Sequence, residues 1–271
     1  MDYQYDSLTA GRPARRELRE LLRYKDLLRL LIAKSIKTRY KRSSLGVVWT
    51  LLNPLFNTLV LTIAFSQFFR YQIENYPVYL LSGLLAWNFF TQTTSVAMGH
   101  MVWGSHLLKR IYVPRAIFSV SVVGNGLINF LLALLPLGVI MVIMGHPLTP
   151  AILILPLTVL SATVFVLGVT LLLAAIAAFF VDAVDIYHVL ISAGFFLTPI
   201  IYPIDLIPEA YKFLLWANPI YLMIESIRGP IYLGVLPETQ LLLINAGVAL
   251  ASLVIGWLVF TAKADELAYR V

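Results

Sequence analysis

The sequence predicts an all-α integral membrane protein: six transmembrane helices, an N-terminal cytoplasmic amphipathic helix, and short re-entrant helices on the outer side between spans five and six. Three observations carry this. Hydrophobic residues make up 60% of the 271 and charged residues 13%, with a mean hydropathy of +0.85, well outside soluble usage. Several stretches exceed the roughly 20 apolar residues that cross about 30 Å of hydrocarbon as a helix, and the alternating ten-residue pattern of barrel strands is absent. Lys and Arg are concentrated on one side of the resulting topology.

From the N-terminus, residues 1–46 form a cytoplasmic segment, residues 47–260 the spanning domain and residues 261–271 a cytoplasmic tail. The first twenty residues lack the apolar core of a cleavable signal, so the N-terminus is expected to be retained. Over 16–42, Leu18, Leu21, Leu22, Leu28, Ile32 and Ile36 recur on one side at helical spacing, opposite Arg16, Arg19, Arg23, Lys34, Lys37 and Lys41. Lys25 and Arg29 interrupt the apolar side with stems long enough to snorkel, which gives an interfacial helix lying along the membrane. It serves either as a lipid anchor or in gating.

The segment ends in KTRYKRSSLGVVWTLLNPLF, residues 37–56. Lys37, Arg39, Lys41 and Arg42 hold it in the cytoplasm, Gly46 permits a sharp change of direction, and Trp49 sits at headgroup level as the first span begins. The six spans are expected at about 47–69, 79–98, 117–144, 153–180, 186–204 and 241–260. With both termini cytoplasmic, seventeen Lys and Arg lie inside and three (Arg70, Lys212, Arg228) outside; the opposite orientation inverts that ratio. The net charge of +6 therefore orients the chain and touches anionic headgroups, and is no nucleic-acid footprint.

Between the last two spans, residues 202–240 contain five prolines among apolar pieces too short to cross. Polar backbone at membrane depth must be buried in protein or face water. One or two short helices dipping into the outer leaflet are expected. Glu225 and Arg228, three apart on such a helix, can pair as structural glue or touch a substrate headgroup.

Catalytic inventory is thin. The chain has no cysteine, no G-x-x-x-x-G-K-[ST] phosphate loop, no H-E-x-x-H, no G-x-S-x-G and no paired carboxylates. His100, His106, His146 and His188 fall outside metal-ligand spacing. No Asp, Glu, Lys or Arg lies inside the six expected spans, and only His188 is a weak exception, which speaks against a proton relay. Energy is expected to come from outside the chain, and a membrane-embedded glycan-modifying enzyme is disfavoured for want of clustered carboxylates or histidines.

Aromatics are abundant instead. Many form interfacial belts, but Phe56, Phe89, Phe90 and Phe196 fall near mid-membrane, where they either pack the core or line a path. With Thr91, Thr93, Thr94 and Ser95 nearby, such rings suit the C–H faces of sugars.

TRYKRSSLGVVWTLLNP at 38–54, LLKRIYVPRAIF at 107–118, LTPIIYPIDLIP at 197–208 and NPIYLMIESIR at 218–228 together resemble the membrane subunit of polysaccharide-exporting ATP-binding-cassette transporters. The motifs run in order over nearly the whole chain. The resemblance implies a homodimer with two copies of a separate ATPase, which binds ATP and Mg, so that this chain carries no cofactor. It implies export of a lipid-linked glycan of O-antigen, capsular or teichoic acid type across the inner membrane of a bacterium. The alternative is an exporter of lipids or drugs of related architecture.

The resemblance also assigns roles. The helix over 16–42 stands near the cytoplasmic entrance, with Arg39, Lys41, Arg42, Gly46 and Trp49 at its hinge. Lys109, Arg110, Ile111, Tyr112, Pro114 and Arg115 fall in the ATPase-docking connection. Pro208, Trp216, Asn218, Pro219, Glu225 and Arg228 belong to the outer gate. For the aromatic channel lining the expected residues are Phe56, Trp87, Phe89, Phe90, Phe196 and Tyr202. No attached glycan-binding or nucleotide-binding domain is expected beyond Val271.

Overall fold

The structure, a computed structural model, describes residues 13–40, 48–69, 73–103 and 114–263, with backbone alone for residues 13, 39, 40, 50, 51 and 66–69. All regular elements among these residues are helical: α1 (Pro13–Arg23), α2 (Lys25–Tyr40), α3 (Val48–Phe69), α4 (Tyr76–Trp103), α5 (Ala116–Ile143), α6 (Leu155–Phe179), α7 (Ala183–Leu197), α8 (Glu209–Trp216), α9 (Pro219–Arg228) and α10 (Thr239–Ala262). Short 3-10 turns at Pro150–Ile154 and Ile204–Leu206 and a π turn at Gly229–Leu233 complete the path.

Among the described residues, three helices are long and apolar enough to cross a membrane: α5, the run Pro150–Phe179 that ends in α6, and α10. Leu52–Phe65 within α3, and α7, are shorter apolar helices. Helix α4 is as long as α5 but more polar, and it is the most enclosed element, packed by α3, α5, α6, α7 and α9. Enclosure explains its composition. Val78, Leu80, Leu81, Ala86 and Met98 are fully buried, and Ser82, Thr91, Thr93 and Thr94 are buried with them.

Lipid tails are as apolar as leucine, so close packing and hydrogen bonding must hold helices together. Helices α6 and α10 meet backbone to backbone. A Cβ on Gly256 would lie 2.0 Å from the Gly168 carbonyl oxygen, and one on Gly168 only 2.3 Å from the Leu253 nitrogen.

The N-terminal helices pack on the same bundle. Tyr24 separates α1 from α2, yet the Tyr24 N–H donates to Glu20 O at 2.9 Å and the Leu28 N–H to Tyr24 O at 3.0 Å, so the path stays nearly continuous. Ile32 reaches α5 where Gly124 leaves room; a Cβ there would lie 2.7 Å from Ile32 Cδ1. Of the expected apolar stripe, Leu21, Leu28, Ile32 and Ile36 are half-buried, whereas Leu18 and Leu22 are exposed. The inward line runs through Glu17 instead, because its carboxylate finds a backbone partner on α5.

The fifth apolar segment also departs from expectation. A span over 186–204 is too long: α7 ends at Leu197, and Thr198 is extended at φ −99°, ψ 129°. Pro199 is the cause, since its ring disfavours helical backbone in the residue before it. Residues 198–203 then run as irregular chain before the two short helices α8 and α9.

Gly256→Val should destabilise the protein by at least roughly 1–3 kcal/mol, the usual cost of overpacking, read as a lower midpoint of thermal unfolding in detergent. Gly247→Ala on the same helix, with nothing within 4 Å of the new methyl, should leave that midpoint unchanged or slightly raised.

Candidate functional site

Helices α3, α4 and α5 each carry a pair of carboxamides four residues apart: Asn53 and Asn57, Asn88 and Gln92, Asn125 and Asn129. Residues at i and i+4 share a helix face. In the structure all six line one cavity of about 430 Å³, lined also by Ser35 of α2 and by His100. Trp49, Phe89 and Phe130 supply apolar walls, with the Phe89 and Phe130 rings 5.4 Å apart.

Two glycines shape the cavity. Gly124 admits Ile32 of α2, and Gly126 lies so close to α4 that a Cβ would fall 2.2 Å from Thr93 Oγ1. Asn125, between them, is thereby brought into the groove. Asn57 Nδ2 donates to Asn53 Oδ1 at 3.0 Å. The carboxamides of Asn88, Gln92, Asn125 and Asn129 have no hydrogen-bond partner among the described residues, and neither has the buried Thr93 hydroxyl. Among the described residues, no acid, lysine or arginine lines this cavity.

A second polar centre lies at the opposite end of α4. Arg228 is 3% exposed, an expensive place for a permanent charge. Its Nη1 donates to Tyr79 Oη at 3.0 Å and to Pro199 O at 2.9 Å, and its Nη2 donates to Ile200 O at 3.2 Å. The guanidinium also lies over the Tyr79 ring, 4.0 Å from its centre. Tyr79 Oη donates to Tyr202 O at 2.8 Å, and Tyr76 Oη to Ile201 O at 2.9 Å. Four consecutive carbonyls of the irregular chain after α7 are thus satisfied by three side chains. Gly83 makes room, because a Cβ there would stand 2.1 Å from Arg228 Nη2.

Glu225 sits 3.9 Å from Arg228, a contact looser than the others, and remains partly exposed. Asn218 caps α9, accepting from the Ile220 and Tyr221 N–H groups at 3.0 and 3.3 Å, while its Nδ2 donates to Thr198 Oγ1 at 3.1 Å. Pro219 occupies the first turn of α9, where a missing N–H costs nothing. Pro208 precedes α8, and Trp216, half exposed, ends it.

The aromatic residues separate by face. Phe56 and Phe196 are exposed, at 53% and 67%. Trp87 and Phe90 are buried, Trp87 against Phe195 at 5.6 Å and Phe90 stacked on Phe165 at 5.6 Å; Phe89 is buried but borders the cavity. Tyr202 is half-buried and its hydroxyl donates to Phe196 O at 2.8 Å. The hydroxyls of Thr91 and Thr94 turn back onto carbonyls of their own helix, and Thr94 Oγ1 also meets Tyr187 Oη; of the nearby hydroxyl residues only Thr93 reaches the cavity.

On the side of α1 and α2, Trp49 is half exposed and borders the cavity. Lys41, Arg42 and Gly46 lie outside the described residues, as does the side chain of Arg39, and so do Lys109, Arg110, Ile111 and Tyr112. Pro114 is buried and Arg115 immediately precedes α5. There the Ala116 N–H donates to Glu17 Oε1 at 3.1 Å. Burial raises the Glu17 carboxyl above its ordinary range, opposed by the Ala116 N–H and the nearby Arg115 charge. Trp257 Nε1 donates to Ala14 O at 3.3 Å, tying α1 to α10 as well.

Sequence reasoning directed at ionisable groups passes over the carboxamides, because they carry no charge. Their signal is local and repeated: an i, i+4 amide pair on each of three apolar segments.

Arg228→Lys should cost roughly 1.5–3 kcal/mol, since one ammonium cannot reproduce the planar fork that reaches Tyr79, Pro199 and Ile200 together. Gly83→Ala should shift thermal unfolding in the same direction by displacing the guanidinium, and combining the two should cost less than their sum.

The chain matches the ABC-2 type transporter family over residues 26–232. It is 32% identical to an O-antigen export system permease protein of Myxococcus xanthus, covering 94% of this chain and 99% of that one. It is 30% identical to an O-antigen export system permease protein of Klebsiella pneumoniae, over 75% and 79% of the two chains. Identity to a polysialic acid transport protein of Escherichia coli is 23%, over 88% and 93%. With a family match spanning most of its length and a relative at this identity along nearly all of it, the chain belongs to the ABC-2 type transporter family.

Proposed function

We propose that this chain is the membrane permease subunit of a polysaccharide exporter, moving a lipid-linked glycan of O-antigen, capsular or teichoic acid type across the inner membrane of a bacterium. The observation that carries this reading is the similarity to an O-antigen export permease along 94% of the chain. The relatives are named for O-antigen export and polysialic acid transport, which favours a glycan substrate over a drug or lipid. Work is done by a partner ATPase that binds ATP and Mg, in keeping with a sequence that has no phosphate loop.

In this reading α3, α4, α5, the run Pro150–Phe179, α7 and α10 are the six spans, residues 1–46 and 261–271 are cytoplasmic, and two copies pair with two ATPases. Phe56 and Phe196, exposed on a single chain, face the path between the copies. Trp87 acts behind them: it packs on Phe195, whose ring meets Phe196 edge-on at 5.4 Å. Phe90 supports the wall from the core, Tyr202 fixes the backbone at Phe196, and Phe89 faces the amide-lined cavity. Helices α8 and α9, with Pro208, Trp216, Asn218, Pro219, Glu225 and Arg228, form the outer gate. Arg39, Lys41, Arg42, Gly46 and Trp49 make the hinge of the entrance helices α1 and α2.

The docking segment comprises Lys109, Arg110, Ile111, Tyr112, Pro114 and Arg115. Supporting its role, its last residue adjoins the start of α5, where Glu17 of α1 is also fastened. A push received there is shared by the entrance helix and a spanning helix.

Charge reversal at Lys109, Arg110 and Arg115 should lower glycan export by about tenfold or more, a coupling of about 1.4 kcal/mol, with the chain still at its normal level in the membrane. Surface glycan and ATPase stimulation, measured in the same cells and the same purified complex, check this. Normal export with normal stimulation would remove the docking assignment.

A further inference from the structure

We infer that the groove among α2, α3, α4 and α5 is a carbohydrate site, in which Asn53, Asn57, Asn88, Gln92, Asn125 and Asn129 exchange hydrogen bonds with the hydroxyls of a neutral glycan segment in transit. The inference rests on the export reading and gives it a place within one chain.

Three physical points converge. Carboxamides on apolar helices are costly unless they meet partners or water; four of these six have no partner among the described residues, Asn88, Asn125 and Asn129 half-buried and Gln92 exposed, and all six open onto one cavity. Each offers two N–H donors and a carbonyl with two lone pairs, the complement of a vicinal hydroxyl pair that both donates and accepts. A volume of about 430 Å³ falls within the roughly 300–1,000 Å³ of small-ligand sites. Apolar rings beside the amides supply the flat faces on which the C–H side of a sugar rests.

Among the described residues the lining holds no acid, lysine or arginine, so the amides and the aromatic rings are the groups there that meet a ligand. Neutral amides bind hydroxyls by bonds of about 1 kcal/mol each, weak enough to be exchanged as a polymer advances. The geometry is also directional. On each of the three helices the pair is separated by one turn, about 6 Å, so the groove offers two successive rungs. The lower edge is marked by Ser35 on α2, beside the proposed entrance. Thr93 Oγ1, buried and unpartnered, lies against this same wall.

The chain contains no cysteine, so single substitutions report without background. Asn125→Cys and Asn88→Cys, each in the complete permease–ATPase complex in cells, would be reacted with a small water-soluble methanethiosulfonate. Reaction should be fast in cells whose first glycosyltransferase is blocked, and slower by about fivefold or more, the effect of roughly 1 kcal/mol of occupancy, in cells making the glycan with ATP hydrolysis arrested. Equal rates in the two cell types would overturn the proposal. So would a spontaneous disulfide between two copies through Asn125→Cys, which would make this face a contact between protomers.

Asn88→Leu with Asn125→Leu provides the second arm. It keeps the helices apolar, should leave membrane level and ATPase association unchanged, and should lower export by about thirtyfold, two hydrogen bonds' worth; unchanged export would overturn the proposal. Deleting the chain separates the two readings. If surface glycan persists without it, the export reading fails; if deletion abolishes surface glycan while the leucine variant exports normally, only the groove assignment fails.

Discussion

The burial of Arg228 is the constraint on which α9, the start of α4 and the chain after α7 depend. An isolated guanidinium in a membrane protein costs several kcal/mol, and this one is offset by hydrogen bonds to Tyr79, Pro199 and Ile200 and by the Tyr79 ring beneath it. The benefit runs in both directions. The chain after α7 leaves helical geometry at Thr198, exposing carbonyls that lipid cannot solvate. Arg228, Tyr79 and Tyr76 take up those of Pro199, Ile200, Ile201 and Tyr202, so the charge and the irregular backbone are each tolerable only because of the other. A side chain with a fork of donors is required, and Gly83 is required to admit it.

Much of the architecture was legible in the sequence, and what was not has a common reason. Hydropathy locates α5, α6 and α10 because crossing hydrocarbon demands length and apolarity that composition displays directly, and it marks α3 and α7 as shorter apolar helices. The stop of α7 at Leu197 also has a local signal in Pro199, which outweighs the apolar residues that follow it. The i, i+3 spacing of Glu225 and Arg228 is present as a pair, but at 3.9 Å it is the looser of Arg228's contacts. The tighter partners come from α4, 149 positions away, and from the loop 28 and 29 positions away. No periodicity announces a pairing at that separation.

The aromatic residues show the same limit. Helix α4 is surrounded, so its apolar residues occur all round and the pattern does not distinguish the face of Trp87 and Phe90, which is core, from that of Phe89, which borders a cavity. Phe56 and Phe196, on less enclosed helices, are exposed. The amphipathic stripe before the first span was readable in period but not in phase. A single hydrogen bond from the Ala116 N–H to Glu17 turns a charged residue inward and leaves Leu18 and Leu22 outside.

That bond also bears on how force travels. Helix α5 begins beside Arg115, the last residue of the segment we assign to ATPase docking. Its first N–H is held by α1, its Gly124 is the seat of Ile32 from α2, and one residue further Asn125 enters the amide-lined groove. The proposed docking segment, helices α1 and α2 and the groove therefore meet on one helix within about ten residues of its start, a distance of about 15 Å. A packed helix moves as a rigid element and switches between discrete arrangements more readily than it deforms. Displacing the start of α5 must therefore move α1, α2 and the groove together, whereas the Arg228 knot, at the far end of α4, stays fixed to the chain after α7. Among the described residues, the groove that would move is lined by neutral groups whose bonds are individually weak.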